Sequence, residues 1–214
     1  KRADHIIANS HKFKKQLEKK FKINVSCIYN PLDVKNIQKL SKHNPKLNFF
    51  KPRSKYLKII NIGRLTDQKD HLTLIKAIEL IKNVLPVRLI IIGKGKNKKK
   101  INFEIKRRGL SKIIKLLGYK KNPYSYIKIS DLFILSSKFE GLPNVLMETM
   151  ALKKFIISSD CPTGPSEILE NGKLGYLFKV SNPIQLAQKI KKYNKEKSKL
   201  NKIINNAYLS LEKF

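Results

Sequence analysis

The sequence predicts an α/β fold with a doubly wound, Rossmann-like parallel sheet. Three observations predict it. Short apolar runs alternate with helical stretches along most of the chain. The runs are apolar at nearly every position rather than at every second one, as in VRLIIIG, which marks strands covered on both faces. Several runs also end in a glycine-bearing turn, as in NIGR, IIGKG, LGYKK and SSKFEG, and open sheets of this kind bind ligands beyond the carboxyl ends of their strands.

The elements follow in order. DHIIANS (4–10) reads as a strand, KFKKQLEKKF (12–21) as a basic helix, and VSCIYNP (25–31) as a strand ended by proline. SKHNPKLNFFKPRSKY (41–56) reads as an exposed connection. LKIINIG (57–63) is a buried strand. DHLTLIKAIELIKN (70–83) carries Leu72, Ile75, Ala77, Ile78, Leu80 and Ile81 at helical spacing. A second strand, VRLIIIG (87–93), is followed by a lysine-rich turn and a helix to Arg108. Then come IIKLLGY (113–119), a short helix near PYSYIKIS, strand DLFILSS (131–137), and a helix from Pro143. Strand KFIISS (154–159), a turn with two prolines, a short helix through Ile168, strand GYLFK (175–179) and helix PIQLAQKIKKY (183–193) complete the domain. The remainder, 194–214, reads as a charged helix.

Composition bounds the function. The chain has 214 residues with an apolar fraction of 41%, enough to bury a sizeable core. Its 47 Lys+Arg against 15 Asp+Glu give a formal charge of +32. Such an excess attracts polyanions: nucleic acid, anionic lipid or phosphorylated substrates. The cations are nearly all lysine, with arginine only at 2, 53, 64, 88, 107 and 108, and A/T-rich codon use yields the same Lys, Asn and Ile bias. Cys27 and Cys161 have no metal-like or redox spacing, which points to a reduced cytosolic setting. His5, His11, His43 and His71 are scattered, so no metal site is expected. No apolar run reaches membrane-span length, and no signal-peptide pattern opens the chain. It begins with Lys and enters a pattern at once, which reads as a fragment.

Three constellations carry chemistry. In FEGLPNVLMETMA, Pro143 fits the first position of a helix and Gly141 removes side-chain bulk before it. The amides of Gly141, Leu142, Asn144 and Val145 would then face the sheet edge as an anion site. Leu146, Met147, Met150 and Ala151 share the buried face, while Asn144 and Glu148 lie together on another. An isolated Glu pair would be a cap and a solvated side chain, but Glu140 and Glu148 flanking an anion site suit a hydroxyl-rich ligand. In NIGRLTDQKD, Arg64 and Lys69 follow a strand and could hold a diphosphate, against the reading of ordinary loop charge. IIGKGKNKKK has Gly93 and Gly95 but neither the third glycine of a dinucleotide fingerprint nor a P-loop ending, and reads as a tight turn with a solvated lysine run. No DxD metal clamp, GxSxG elbow or Ser/His/Asp arrangement is present.

GRLTDQKD, IIGKG, SSKFEGLPNVLMETMAL, CPTGPSEIL and GKLGYLF, in this order and spacing, resemble glycosyltransferase family 4 over about residues 53–193. The family's GT-B fold has two Rossmann-like domains with the active site between them. The resemblance implies that 1–40 is the end of the N-terminal acceptor domain, 41–56 a linker, 57–193 the nucleotide-sugar donor domain and 194–214 a C-terminal helix. It implies that Arg64 and Lys69, beside Gly63, hold the donor diphosphate. Glu140 with Gly141, Leu142, Pro143 and Asn144 meets sugar and diphosphate. Glu148 takes the ribose hydroxyls, and the base lies near Gly118 and Tyr119. CPTGPSEIL leans toward UDP-hexose or UDP-N-acetylhexosamine donors. The turn after IIG departs from the family's acidic, proline-bearing pattern.

The resemblance implies retention of anomeric configuration, with Glu140, Arg64 and Lys69 as the catalytic set and no metal or other cofactor. The acceptor would be a glycan or lipid-linked, in cell-surface polysaccharide synthesis, with peripheral contact to an anionic membrane and no specific nucleic acid. Without the missing N-terminal part, the chain would bind donor weakly and transfer nothing. A nucleotide-sugar epimerase of the same fold, and a basic nucleic-acid or membrane module, are the alternatives; no aromatic-interleaved basic face supports the latter.

Overall fold

The computed structural model describes residues 3–51 and 55–214. Two strands, β1 (Ile7–Ala8) and β2 (Ser26–Cys27), pair in parallel around helix α1 (His11–Phe21). Helix α2 (Val34–Ser41) leads to the main sheet. There β3 (Leu57–Ile62), α3 (His71–Ile81), β4 (Val87–Ile92), α4 (Lys98–Arg107), β5 (Ile114–Gly118), α5 (Tyr124–Lys128), β6 (Leu132–Leu135), α6 (Asn144–Ala151), β7 (Phe155–Ser159), α7 (Pro165–Ile168), β8 (Tyr176–Phe178) and α8 (Pro183–Glu196) alternate. Helix α9 (Asn201–Leu209) and a terminal 3-10 turn (Ser210–Lys213) end the chain.

The six strands β3–β8 are all parallel, in the order β5-β4-β3-β6-β7-β8. Successive residues point to opposite faces, and both faces are covered. Ile59, Leu89, Ile91, Leu132, Ile134 and Ile157 pack under α3, α4 and α8. Ile60, Ile90, Ile92, Phe133, Leu135 and Ile156 pack under α2, α5, α6 and α9. This explains the unbroken apolar runs: alternate residues serve different cores. Each fully buried Ile or Phe contributes about 1.5–3 kcal/mol.

Chain order reverses between the adjacent strands β3 and β6. In open parallel sheets, ligands bind beyond the carboxyl ends of the strands at such a reversal. Arg64 and Lys69 lie on one of these loops, Glu140 to Pro143 on the other.

Some expectations are corrected. β1 and β2 are two-residue ladders, far shorter than the runs that suggested them. The connection at 41–56 is not simply exposed: Phe50, only 5% accessible, enters the second core, and Arg88 reaches back to the Phe49 carbonyl at 2.7 Å. Pro52, Arg53 and Ser54 of that connection, and Lys1 and Arg2, lie outside the described residues. The single terminal helix is instead broken by a 3-10 turn at Lys197–Lys199. Tyr193 and Leu200 belong to the first core, Ala207 and Leu211 to the second, and a straight helix could not serve both faces. Helix α2 was not anticipated, although Asp33 caps it by accepting from Asn36 N at 2.9 Å.

Candidate active site

The loop after β3 is held rigidly. Its base is locked by Gly95, where an added Cβ would lie 2.5 Å from the Leu65 carbonyl oxygen. Leu65 N donates to the Lys94 carbonyl and Asn97 N to the Leu65 carbonyl, at 3.0 and 2.9 Å. The IIGKG glycine is therefore structural, which fits the tight-turn reading of that stretch. Asp70 ends the loop at φ +42° and caps α3, accepting from Thr73 and Ser181 hydroxyls at 2.7 Å each.

This loop is stitched to the one after β6. Lys69 Nζ donates to Glu140 Oε1 at 2.5 Å, with side chains 15% and 8% exposed. Ser137 Oγ donates to the same carboxylate oxygen at 2.5 Å, and Ser136 Oγ donates to the Lys69 carbonyl at 2.9 Å. Lys138 N donates to the Gln68 carbonyl, and Gln68 Nε2 donates to the Phe139 carbonyl. Arg64 is exposed, with its guanidinium 3.5 Å from Gln68 Oε1, so it stands one residue removed from the Glu140 loop. Gly63 lies beneath: a Cβ there would touch the Lys69 stem at 3.4 Å.

The Glu140 loop then turns into α6. Pro143 is the N-cap, not the first helical residue: its ψ of 94° is extended, and its carbonyl accepts from Leu146 N at 2.9 Å. Among the described residues, the amides of Gly141, Leu142, Asn144 and Val145 donate to no protein acceptor. Leu142 and Pro143 are buried, while Gly141 and Asn144 are exposed. Beneath the turn, Gly164 sits at φ +56°, and a Cβ there would lie 2.1 Å from the Gly141 carbonyl oxygen. Thr163 Oγ1 donates to the Glu140 carbonyl. As the sequence suggested, Leu146, Met147, Met150 and Ala151 are buried.

Glu148 and Tyr119 share no hydrogen bond or ion pair with the Lys69–Glu140 pair among the described residues. Glu148 faces Tyr124, whose hydroxyl donates to Oε1 at 3.4 Å. Burial raises the Glu148 carboxyl above the usual range, opposed by that hydroxyl. Tyr119 is 64% exposed at the end of β5, with Lys94 Nζ 5.5 Å from its ring. Asn144 and Glu148 thus have separate partners rather than a common one.

Sequence reasoning missed several contributors. Asn30, just after β2, donates from Nδ2 to Asn144 Oδ1 at 2.7 Å, and Asn9 packs beside Gly141. Glu167 on α7 accepts from the amides of His11 and Lys12 and from the Tyr29 hydroxyl, at 2.9, 3.0 and 2.7 Å. Burial would raise its pKa, but these donors outweigh burial and hold it below the ordinary value. Contacts across so much sequence leave no local signal. Among the described residues no group of three or more His, Cys, Asp or Glu could hold a metal, and no helix is long and apolar enough to cross a membrane.

A six-stranded all-parallel sheet with helices on both faces and charged loops at its order reversal defines a Rossmann-like α/β protein. The sequence matches the family Glycosyl transferases group 1 over residues 34–210, and the chain belongs to that family. It is 36% identical over 173 residues to an uncharacterized glycosyltransferase of Methanocaldococcus jannaschii, covering 79% of this chain and 43% of that protein. It is 31% identical over 193 residues to the N-acetylgalactosamine-N,N'-diacetylbacillosaminyl-diphospho-undecaprenol 4-alpha-N-acetylgalactosaminyltransferase of Campylobacter jejuni, covering 89% and 50%. The chain thus spans about half the length of these relatives or less. In fold it is similar to a glycosyltransferase from Rickettsia africae, with TM-score 0.85 at 21% identity, covering 98% of this chain and 58% of that one. The Anabaena protein HepE, solved with UDP and glucose, gives TM-score 0.85 at 23% identity, covering 99% and 59%. The fold is one Rossmann-like half of the GT-B architecture.

Proposed function

We propose that the chain is the donor-binding half of a retaining family 4 glycosyltransferase. It would move a hexose or N-acetylhexosamine from a UDP-linked donor to a glycan or lipid-linked acceptor in cell-surface polysaccharide synthesis. The observation that carries this reading is the meeting of Lys69 with Glu140 beside the open amides of the α6 start. The relatives' names agree with it: the Campylobacter enzyme is named for a diphospho-undecaprenol acceptor, and HepE is described with UDP and glucose.

The chemistry follows from charge. Cleaving the bond between anomeric carbon and phosphate leaves negative charge on the nucleoside diphosphate. Arg64, free to swing from its exposed position, and Lys69 meet that charge, together with the amides of Gly141, Leu142 and Asn144. Preorganised donors such as Lys69 and these amides are worth about 2.7–4 kcal/mol of barrier each. Glu140 orients Lys69 and the sugar, without a nucleophilic role. Glu148 accepts from the ribose hydroxyls and Tyr119 flanks the base. No metal enters this scheme. The basic surface suits peripheral contact with an anionic membrane on its cytoplasmic side.

Calorimetry with UDP, GDP and ADP, each free and as sugar conjugates, tests the reading. Selective UDP binding that is lost in Arg64→Ala supports it; no nucleotide binding overturns it. Transfer by these 214 residues alone would refute the requirement for an acceptor domain.

A further inference from the structure

A second cluster of cations lies at the opposite edge of the sheet from the proposed donor site. Ile59, Leu132 and Phe155 form one register row across β3, β6 and β7. The residues immediately before them are Lys58, Asp131 and Lys154, so two lysines flank one aspartate on three neighbouring strands. The Asp131 carboxylate is already engaged: its Oδ2 accepts from Lys58 N at 2.8 Å, while Asp131 N donates to the Lys58 carbonyl. None of the surrounding lysines forms an ion pair among the described residues.

These residues line a cavity together with Lys46, Lys51 and Lys128. Five lysines and one carboxylate thus line the same cavity; Lys58 and Lys154 are half-buried, while Lys46, Lys51 and Lys128 are exposed at its rim. The stem of Lys154 is largely buried. Burial first, and the neighbouring Lys128 and Lys58 next, depress its pKa to about 8 against the pull of Asp131. Clustered, partly desolvated like charges cost free energy unless an anion joins them.

We propose that this cavity, formed by Lys46, Lys51, Lys58, Lys128 and Lys154 around Asp131, binds a phosphate-bearing anion. The ligand class is a phosphate monoester, a diphosphate or a phospholipid headgroup, since these carry compact, multiply charged oxygens matching several point-charge ammoniums. The site is independent of the donor reading, because it shares no residue with the Lys69–Glu140 loops.

The test is a titration of the isotope-labelled chain with sodium pyrophosphate, followed by backbone-amide NMR. Saturable shifts at Ile129–Asp131 and Lys154–Phe155 are expected, read separately from any at Gly63–Asp70 or Glu140–Val145. The triple variant K58Q/K128Q/K154Q should lose affinity at that site by at least about tenfold. A control of equal net charge, K98Q/K99Q/K191Q, should retain it. Lys154→Met, which keeps the buried stem, should weaken binding and abolish the proton uptake that accompanies binding near pH 8. No saturable shift at 129–131 and 154–155, or equal losses in both triple variants, would overturn the proposal. Flotation with phosphatidylglycerol and phosphatidylcholine vesicles separates the sources. Release of the chain from phosphatidylglycerol by the site triple alone identifies a lipid headgroup. Unchanged flotation beside lost pyrophosphate binding identifies a free phosphate.

Discussion

Lys69 and Glu140 are 71 positions apart in the chain, yet Nζ and Oε1 meet at 2.5 Å between loops that leave adjacent strands at the sheet's order reversal. The pair is nearly buried, so leaving one member alone is expected to destabilise the fold. Glu140→Gln should cost about 2–3 kcal/mol, read from urea midpoints. Lys69→Met with Glu140→Leu should recover much of that loss; a double variant as unstable as the sum of the singles would refute the coupling.

Arg64 offers the converse case. It is exposed and, among the described residues, its side chain hydrogen-bonds only to Gln68, so Arg64→Ala should leave stability within about 0.5 kcal/mol of the parent. UDP affinity of the chain should nonetheless fall. In the full-length protein kcat/KM should drop about a hundred- to thousandfold. Unchanged UDP binding would remove Arg64 from the site.

Glu148 should discriminate on the ribose. The parent is expected to prefer UDP over 2′,3′-dideoxy-UDP, and Glu148→Ala should erase the preference. The accepting form is the carboxylate, whose pKa burial raises and the Tyr124 hydroxyl lowers. UDP affinity should therefore fall as pH drops through that raised pKa. Tyr124→Phe should move the loss to higher pH; calorimetry across a pH series checks the direction.

His71 should set part of the acid stability. It is 2% exposed, neither ring nitrogen has a hydrogen-bond partner among the described residues, and its pKa is lowered to about 4 by burial and by Lys69. A base with a depressed folded pKa favours the folded state above its ordinary value of 6.5 and loses that advantage as pH falls toward 4. The span corresponds to about 3 kcal/mol. His71→Leu should flatten the stability profile in this window, measured by urea midpoints at each pH.

Gly164→Ala tests the turn under the Glu140 loop. A Cβ would lie 2.1 Å from the Gly141 oxygen and 2.5 Å from Pro143 Cδ, at φ +56°. Backbone strain alone costs about 1–3 kcal/mol, and the displaced 141–143 turn should weaken UDP binding. Gly109→Ala, at φ +67° with nothing within 4 Å, carries strain without the collision and should leave UDP binding intact.

Much of this fold was legible because a parallel sheet buried on both faces writes itself as mostly apolar runs, plainest in β4 and β6. The parts of the candidate site could be read in type: a scarce arginine, a lysine and a Glu-bearing turn before a helix. Its assembly was not, since Lys69 finds Glu140, Ser137 and Ser136 only after three crossovers bring the loops together. Asn30, Tyr124 and Glu167 lacked any local signature. Helix α2 was overlooked because its apolar positions, Val34, Ile37 and Leu40, are sparse among polar ones, though Asp33 marked its start. The terminal break at Lys197–Lys199 arises from packing on two faces, which helical periodicity does not encode.

Helix α2 precedes the sheet in sequence but roofs it in space. Ile37 sits in the second core, and Gln38 donates from Nε2 to the Ala151 carbonyl at 3.3 Å. The tail returns to the same region, with Phe214 packed edge-on against Tyr29 at 4.7 Å. A recombinant fragment cut at Leu57, where the sheet begins, would bare an apolar trough over α5 and α6 and invite aggregation. The smallest well-behaved unit therefore starts upstream of Asp33, and trimming experiments should respect that margin.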